Sequence, residues 1–98
     1  MQYYVRSDSV VSRIIAGETL IVPVRKGVGD LASIYSLNEV ASAIWQAIAG
    51  PLSKDEIVDV IEQQFDSERI QIENDVESFL LEMESADLVM TVGVAAIA

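Results

Sequence analysis

The 98 residues suit one small domain with a single core and little room for a deep pocket. A hydrophobic fraction of 51% beside 22% charged residues excludes a disordered chain, and zero Cys with zero His excludes disulfides, thiolate or imidazole metal sites, Cys nucleophiles and His-dependent triads. Sixteen acidic against six basic residues leave a net charge of −10, which repels phosphate backbones, so nucleic acid is not an expected partner.

Residues 1–50 carry equal numbers of acidic and basic groups, whereas residues 51–98 carry Lys54 and Arg69 against twelve carboxylates. The C-terminal half is therefore an acidic surface, open either to a basic peptide or protein or to water alone. No apolar run reaches the roughly 18 residues of a membrane span. The opening Met1-Gln2 with Ser7-Asp8-Ser9 lacks the basic start and apolar stretch of a secretory signal. The expectation is a soluble cytoplasmic protein, not associated with membranes.

In chain order, β-branched residues predict strands first. Val10-Val11 and Ile14-Ile15, a turn at Ala16-Gly17-Glu18 and then Thr19-Leu20-Ile21-Val22 read as a hairpin. Pro23 cannot donate to a ladder, so its strand should end there or lie at an edge. The glycines of Arg25-Lys26-Gly27-Val28-Gly29-Asp30 turn the chain, and Leu31-Ala32-Ser33-Ile34-Tyr35 reads as a third strand.

Three helices follow. Ser36-Leu37-Asn38-Glu39 has the spacing of a capping box, and Leu37, Val40, Ala41, Ile44 and Ile48 then share one helical face, ended by Gly50-Pro51. Ser53-Lys54-Asp55-Glu56 repeats the box, with Ile57, Val58, Val60, Ile61 and Phe65 on the apolar side. After a link at Asp66-Ser67-Glu68-Arg69, a third helix is predicted from about Ile72 to Ala86. Ile72, Val76, Phe79, Leu80 and Met83 form its apolar stripe, with Glu73, Asp75, Glu77, Glu82 and Glu84 mostly on the other side. Uncharged Leu88–Ala98 fits an added strand or a frayed end, and residues 1–5 and 91–98 are expected to be the flexible ends of the single domain 1–98. The fold class is α+β, a three-stranded antiparallel sheet followed by three α-helices.

Few motifs carry chemistry. Gly27-Val28-Gly29 lacks the Lys-Ser or Lys-Thr of a phosphate loop and reads as a turn. Asp55, Glu56, Asp59 and Glu62 fall at helical spacing without a calcium loop and read as a solvated face. Trp45, Tyr3, Tyr4 and Tyr35 lack interleaved cations and read as packing residues. Asp66-Ser67 has the attachment pair of acyl carrier proteins, but Glu68 follows where Leu is usual.

The segment Ile34-Tyr35-Ser36-Leu37-Asn38-Glu39-Val40-Ala41-Ser42-Ala43-Ile44-Trp45 carries a more specific pattern. With Gly50, Leu52-Ser53, Glu56-Ile57-Val58, Phe65-Asp66, Asp75-Val76, Phe79-Leu80 and Leu88-Val89 it resembles, over roughly residues 6–90, the PqqD family. These are peptide chaperones of pyrroloquinoline quinone biosynthesis, related to the precursor-peptide recognition elements of ribosomal peptide modification. The resemblance implies a winged-helix-like domain, not an enzyme and without a cofactor, that captures a leader peptide and presents it to a maturase, commonly a radical enzyme. It further implies a leader lying along Leu31, Ala32, Ser33, Ile34 and Tyr35. The helix side of that site is drawn from Ile72, Asp75, Val76, Phe79, Leu80 and Met83.

That implication meets a physical one. An edge strand offers unpaired N–H and C=O groups to an extended peptide, whose apolar side chains fit an apolar helix rim and whose basic ones fit its carboxylates. The rival readings are a winged-helix DNA-binding regulator, which the acidic half disfavours, and an acyl carrier modified at Ser67. Exposed strand edges leave both a monomer and a strand-exchanged dimer open.

Overall fold

The computed structural model describes residues 2–8, 10–25, 28–29 and 34–93. In chain order these form β1 (Gln2–Arg6), β2 (Val10–Ile15), β3 (Glu18–Arg25), β4 (Val28–Gly29), β5 (Tyr35–Leu37), α1 (Glu39–Ala47), α2 (Lys54–Gln64), α3 (Arg69–Ser85) and β6 (Val89–Gly93). The architecture is the mixed one expected, an antiparallel sheet of β2, β3 and β5 followed by three helices. The short β4 on β3 and a separate β1–β6 ribbon are additions to it. No helix among the described residues is long and apolar enough to cross a membrane.

The β2–β3 hairpin turns on Ala16 and Gly17, both at positive φ (53° and 83°), with Ile15 facing Glu18. This is the type I′ geometry, whose twist matches that of the strands. Gly17 adopts it freely, while the Cβ of Ala16 costs about 1 kcal/mol. From the turn, hydrogen-bonded and non-hydrogen-bonded pairs alternate along the ladder. Thr19, Ile21 and Pro23 thus turn their backbone groups away from β2. Thr19 and Ile21 face β5 instead, in the register Thr19–Leu37, Leu20–Ser36 and Ile21–Tyr35. By Pro23 that partner has ended, so its missing N–H is not needed by β2 or β5 and β3 continues to Arg25 instead of stopping.

Three predicted boundaries move. The third strand, expected over Leu31–Tyr35, is found at Tyr35–Leu37, and residues 31–33 lie outside the described residues. Its shift makes Ser36 a strand residue, so α1 is capped by Asn38, whose Oδ1 accepts from the Ala41 N–H at 2.8 Å, and not by Ser36. The third helix begins at Arg69 and not near Ile72, because the Arg69 guanidinium bridges Asp59 (2.9 Å) and Glu62 (3.4 Å) of α2 to Glu73 (3.8 Å) on its own first turns. The capping box at Ser53 and Glu56 forms as read.

At the ends of the chain, residues 2–6 form a strand where a flexible end was expected, and Val89–Gly93 take the added-strand alternative read for the uncharged tail. β1 pairs with β6 from Gln2–Gly93 to Arg6–Val89, and Tyr4 exchanges backbone hydrogen bonds with Leu52 (2.7 and 3.3 Å). Arg6 clamps this ribbon to α1. Its Nε donates to the Trp45 carbonyl at 2.9 Å, its guanidinium stacks 4.9 Å from the Trp45 ring, and it stands where the last turn of α1 has no basic residue of its own. Residues 94–98 lie outside the described residues.

The core lies between the helices and one face of the sheet. Ile21, Leu37, Ile44, Trp45, Ile48, Ile57, Val58, Ile61, Ile72, Val76, Leu80, Met83 and Leu88 are buried there, with Tyr4 and Tyr35 packed against it as half-buried aromatics. α3 ends in a Schellman motif: the Leu88 N–H donates to the Met83 carbonyl (2.9 Å) and the Asp87 N–H to that of Glu84 (3.0 Å). This puts Asp87 in the left-handed region at φ 60°, where glycine is usual.

Candidate functional site

The site grows from where β5 is placed. Among the described residues β5 pairs with β3 alone, so its other side is an open edge. Leu20 turns its backbone groups to β2, and Ser36, opposite it, turns its own N–H and C=O outward to that edge. β5 and α3 stand apart, with no Cα of one within 8 Å of a Cα of the other. Close to that separation, Asn38, Val40, Ala41 and Ile44 meet Asp75, Ser78, Phe79 and Glu82 of α3 around an open groove of about 260 Å³.

A hydroxyl sets the strand's position. Ser42, buried in α1, accepts the Thr19 N–H at 3.1 Å and donates to the Leu37 carbonyl at 3.2 Å. Thr19 and Leu37 face each other across β3 and β5, so the hydroxyl stands as a relay between backbone groups of opposed residues and ties the edge strand to the helix beside the groove.

Of the five carboxylates of α3, two are ion-paired, two line the groove and Glu84 does neither among the described residues. Glu73 pairs with Arg69 and Glu77 with Lys54 (3.5 Å), both away from the groove. The Asp59 hydrogen bond first, and then the charges of Glu62, Asp59 and Glu73, hold the Arg69 guanidinium above its ordinary value. On the groove and among the described residues, Asp75 accepts from the neutral Gln71 amide alone (3.0 Å) and Glu82 has no ion pair. Among those residues no cluster of carboxylates is arranged to hold a metal ion.

The residues singled out in the sequence divide accordingly. Leu31, Ala32 and Ser33 lie outside the described residues. Ile34, 47% exposed, precedes β5, and Tyr35 is half-buried within it. Asp75 and Phe79 line the groove, whereas Ile72, Val76, Leu80 and Met83 are at most 2% exposed and close the core beneath it. Sequence reasoning missed Asn38, Val40, Ala41, Ile44, Ser78 and Glu82 as lining residues. For Ser78 and Glu82 a signal existed, since they lie three and seven residues after Asp75 on the same helix face as Phe79. The α1 side had no such signal, because Val40, Ala41 and Ile44 read simply as core stripe.

The arrangement suits an extended chain laid along a strand edge, with one side chain entering a cleft of apolar floor and acidic rim. The sequence profile of the family described as “Coenzyme PQQ synthesis protein D (PqqD)” matches residues 18–89. Among solved structures, one titled “TbiB1 in Complex with the TbiA(beta) Leader Peptide” is similar at 28% identity and TM-score 0.74, over 93% of this chain and 98% of that one. A second, “Lasso peptide synthetase B1 complexed with the leader peptide”, shares the fold at TM-score 0.71 and 14% identity, over 89% of this chain and 96% of that one. Among curated proteins no sequence match is found.

Proposed function

Because this chain belongs to the PqqD family, we propose that it captures the leader of a ribosomally made precursor peptide by strand addition at β5 and presents it to a separate modifying enzyme. The observation that carries the reading is the outward edge of Ser36, two residues before Asn38 on the lining of the Phe79 groove. Backbone bonding to Ser36 supplies affinity for any extended chain, and the groove selects which chain. Ile34 and Tyr35 flank the bonded residue. Asp75 and Phe79 meet the peptide's side chains, and Ile72, Val76, Leu80 and Met83 hold those two in place from the core. The domain binds without catalysing, and the enzyme it serves is a separate maturase, a radical enzyme being the first to test. One copy carries a whole site, so a monomer suffices. The leader peptides held by both structural neighbours support this reading, and the groove carboxylates, without a cation among the described residues, oppose a phosphate-binding alternative.

Ser36→Pro tests it. Proline at 36 removes only an N–H that β3 does not use, and an edge strand tolerates that. Synthetic N-terminal halves of short open reading frames adjacent to the gene serve as ligands. The variant should keep its circular dichroism and melting profile while losing about tenfold in affinity, the worth of roughly one backbone hydrogen bond. Undiminished binding by the folded variant overturns strand addition at β5.

A further inference from the structure

The stripe Asp75, Phe79, Glu82 carries more information than a general acidity. Resting on the reading of this groove as the leader site, we infer that the leader's recognised segment has a basic residue two positions to either side of the apolar side chain that enters the groove, Lys/Arg-X-apolar-X-Lys/Arg.

The first support is the pattern of charge compensation. Of the α3 carboxylates off the groove, Glu73 and Glu77 pair with Arg69 and Lys54, and Glu84, beside Tyr4, has no ion pair among the described residues. The two that line the groove have no cation among the described residues, although the chain supplies cations to their neighbours one turn away. A face that merely needed solvation gains nothing from leaving its concave part uncompensated. Two such carboxylates on one wall of the groove, about 10 Å apart along α3, set up a negative potential there that an external cation relieves.

The second support is spacing. At a rise of about 1.5 Å per residue, Phe79 lies about 6 Å along α3 from Asp75, and Glu82 about 4.5 Å further. In an extended peptide, side chains on one face recur every two residues, about 6.6 Å apart. A peptide that runs alongside α3 and seats an apolar side chain against Phe79 and Ile44 brings the residues two before and two after it opposite Asp75 and Glu82, within reach of Lys or Arg stems. The intervening residues face away and are free to vary.

The test uses four fluorescein-labelled synthetic dodecapeptides that differ only in a central Lys-X-Leu-X-Lys, Ser-X-Leu-X-Ser, Glu-X-Leu-X-Glu or Lys-X-Ser-X-Lys, read by anisotropy at 50 and 300 mM NaCl. The first should bind about tenfold tighter than the second at low salt, an advantage shrinking at high salt, and the third and fourth should bind weakest. Asp75→Asn combined with Glu82→Gln should erase the preference of Lys over Ser flanks, while Glu73→Gln with Glu77→Gln should keep it. A preference that survives the groove double variant, or that the outer pair also abolishes, overturns the inference, because charge would then act over the whole surface. Equal binding of the first three peptides defeats the inference and leaves strand addition standing. Binding of none defeats both.

Discussion

Ser42→Ala offers the sharpest test of how the edge strand is held. The hydroxyl satisfies two backbone groups at once, the Thr19 N–H and the Leu37 carbonyl, on residues that are 1% and 6% exposed. Alanine leaves both without that partner in a place water does not reach, and an unsatisfied buried group costs about 1–3 kcal/mol. Some inward movement of β5 can recover part of this, so the expected loss is about 2 kcal/mol, or a fall in melting temperature of roughly 8–16 °C for a domain this size. Urea unfolding followed by fluorescence of Trp45, the one tryptophan and fully buried, measures it. Ser53→Ala is the control: it removes the α2 cap far from β5, costs about 1 kcal/mol, and should leave leader affinity alone. Ser42→Ala should weaken leader binding several-fold as well, since it loosens the strand that receives the peptide. If the variant is within about 0.5 kcal/mol of wild type, the strands close directly on each other and the relay has no role.

Four further outcomes are expected. Ile34→Asp alters a side chain 47% exposed and should change stability by less than about 0.5 kcal/mol while lowering leader affinity about tenfold by titration calorimetry. Phe79→Ala, by contrast, opens a cavity at a residue 6% exposed and should cost about 3 kcal/mol as well as binding, so the two effects must be measured separately. Asp87→Gly relieves a left-handed residue and removes a negative charge from the C-terminal end of α3, and should raise stability by about 1 kcal/mol in urea melts. Burial, and then the charge of Glu84, raises the Tyr4 phenol above its ordinary 10.0. The folded state thus holds that proton more tightly than the unfolded one, and stability is full below pH 10 and declines above it. Tyr4→Phe should flatten that alkaline decline.

What the sequence disclosed follows from which forces act locally. The Ser53–Glu56 box and the α3 stripe were legible because capping and 3.6-residue periodicity are properties of a few consecutive residues. The third strand was read as ending at Tyr35 because Leu31–Tyr35 is rich in apolar residues, whereas β5 runs on to Leu37, held by pairing with Thr19–Ile21, fourteen to eighteen residues away, and by the Ser42 hydroxyl. β1 was read as a loose end for the same reason: its partner, Val89–Gly93, lies at the far end of the chain. The left-handed positions Ala16 and Asp87 were invisible because neither is glycine. For the site, the carboxylates and Phe79 were visible but not their sorting into compensated and uncompensated groups, since Lys54 reaches Glu77 from another helix.

The dimensions of the edge also decide where binding energy comes from. β5 is three residues long, and alternation turns only Ser36 outward, so a peptide gains at most about two backbone hydrogen bonds there, each worth about 0.5–1.5 kcal/mol net. Micromolar affinity requires about 8 kcal/mol. The larger share must therefore come from side chains entering the groove and from contacts beyond β5. A short edge of this kind resists indiscriminate pairing with other strands, which a long one would invite. β2 has an open edge too among the described residues, with Val11, Ile14 and Ile15 exposed along it, but the described groove lies beside β5 and not β2. On the proposed reading, strand addition is thus the general part of recognition, open to more than one edge, and the groove between α1 and α3 is what would make the β5 edge specific.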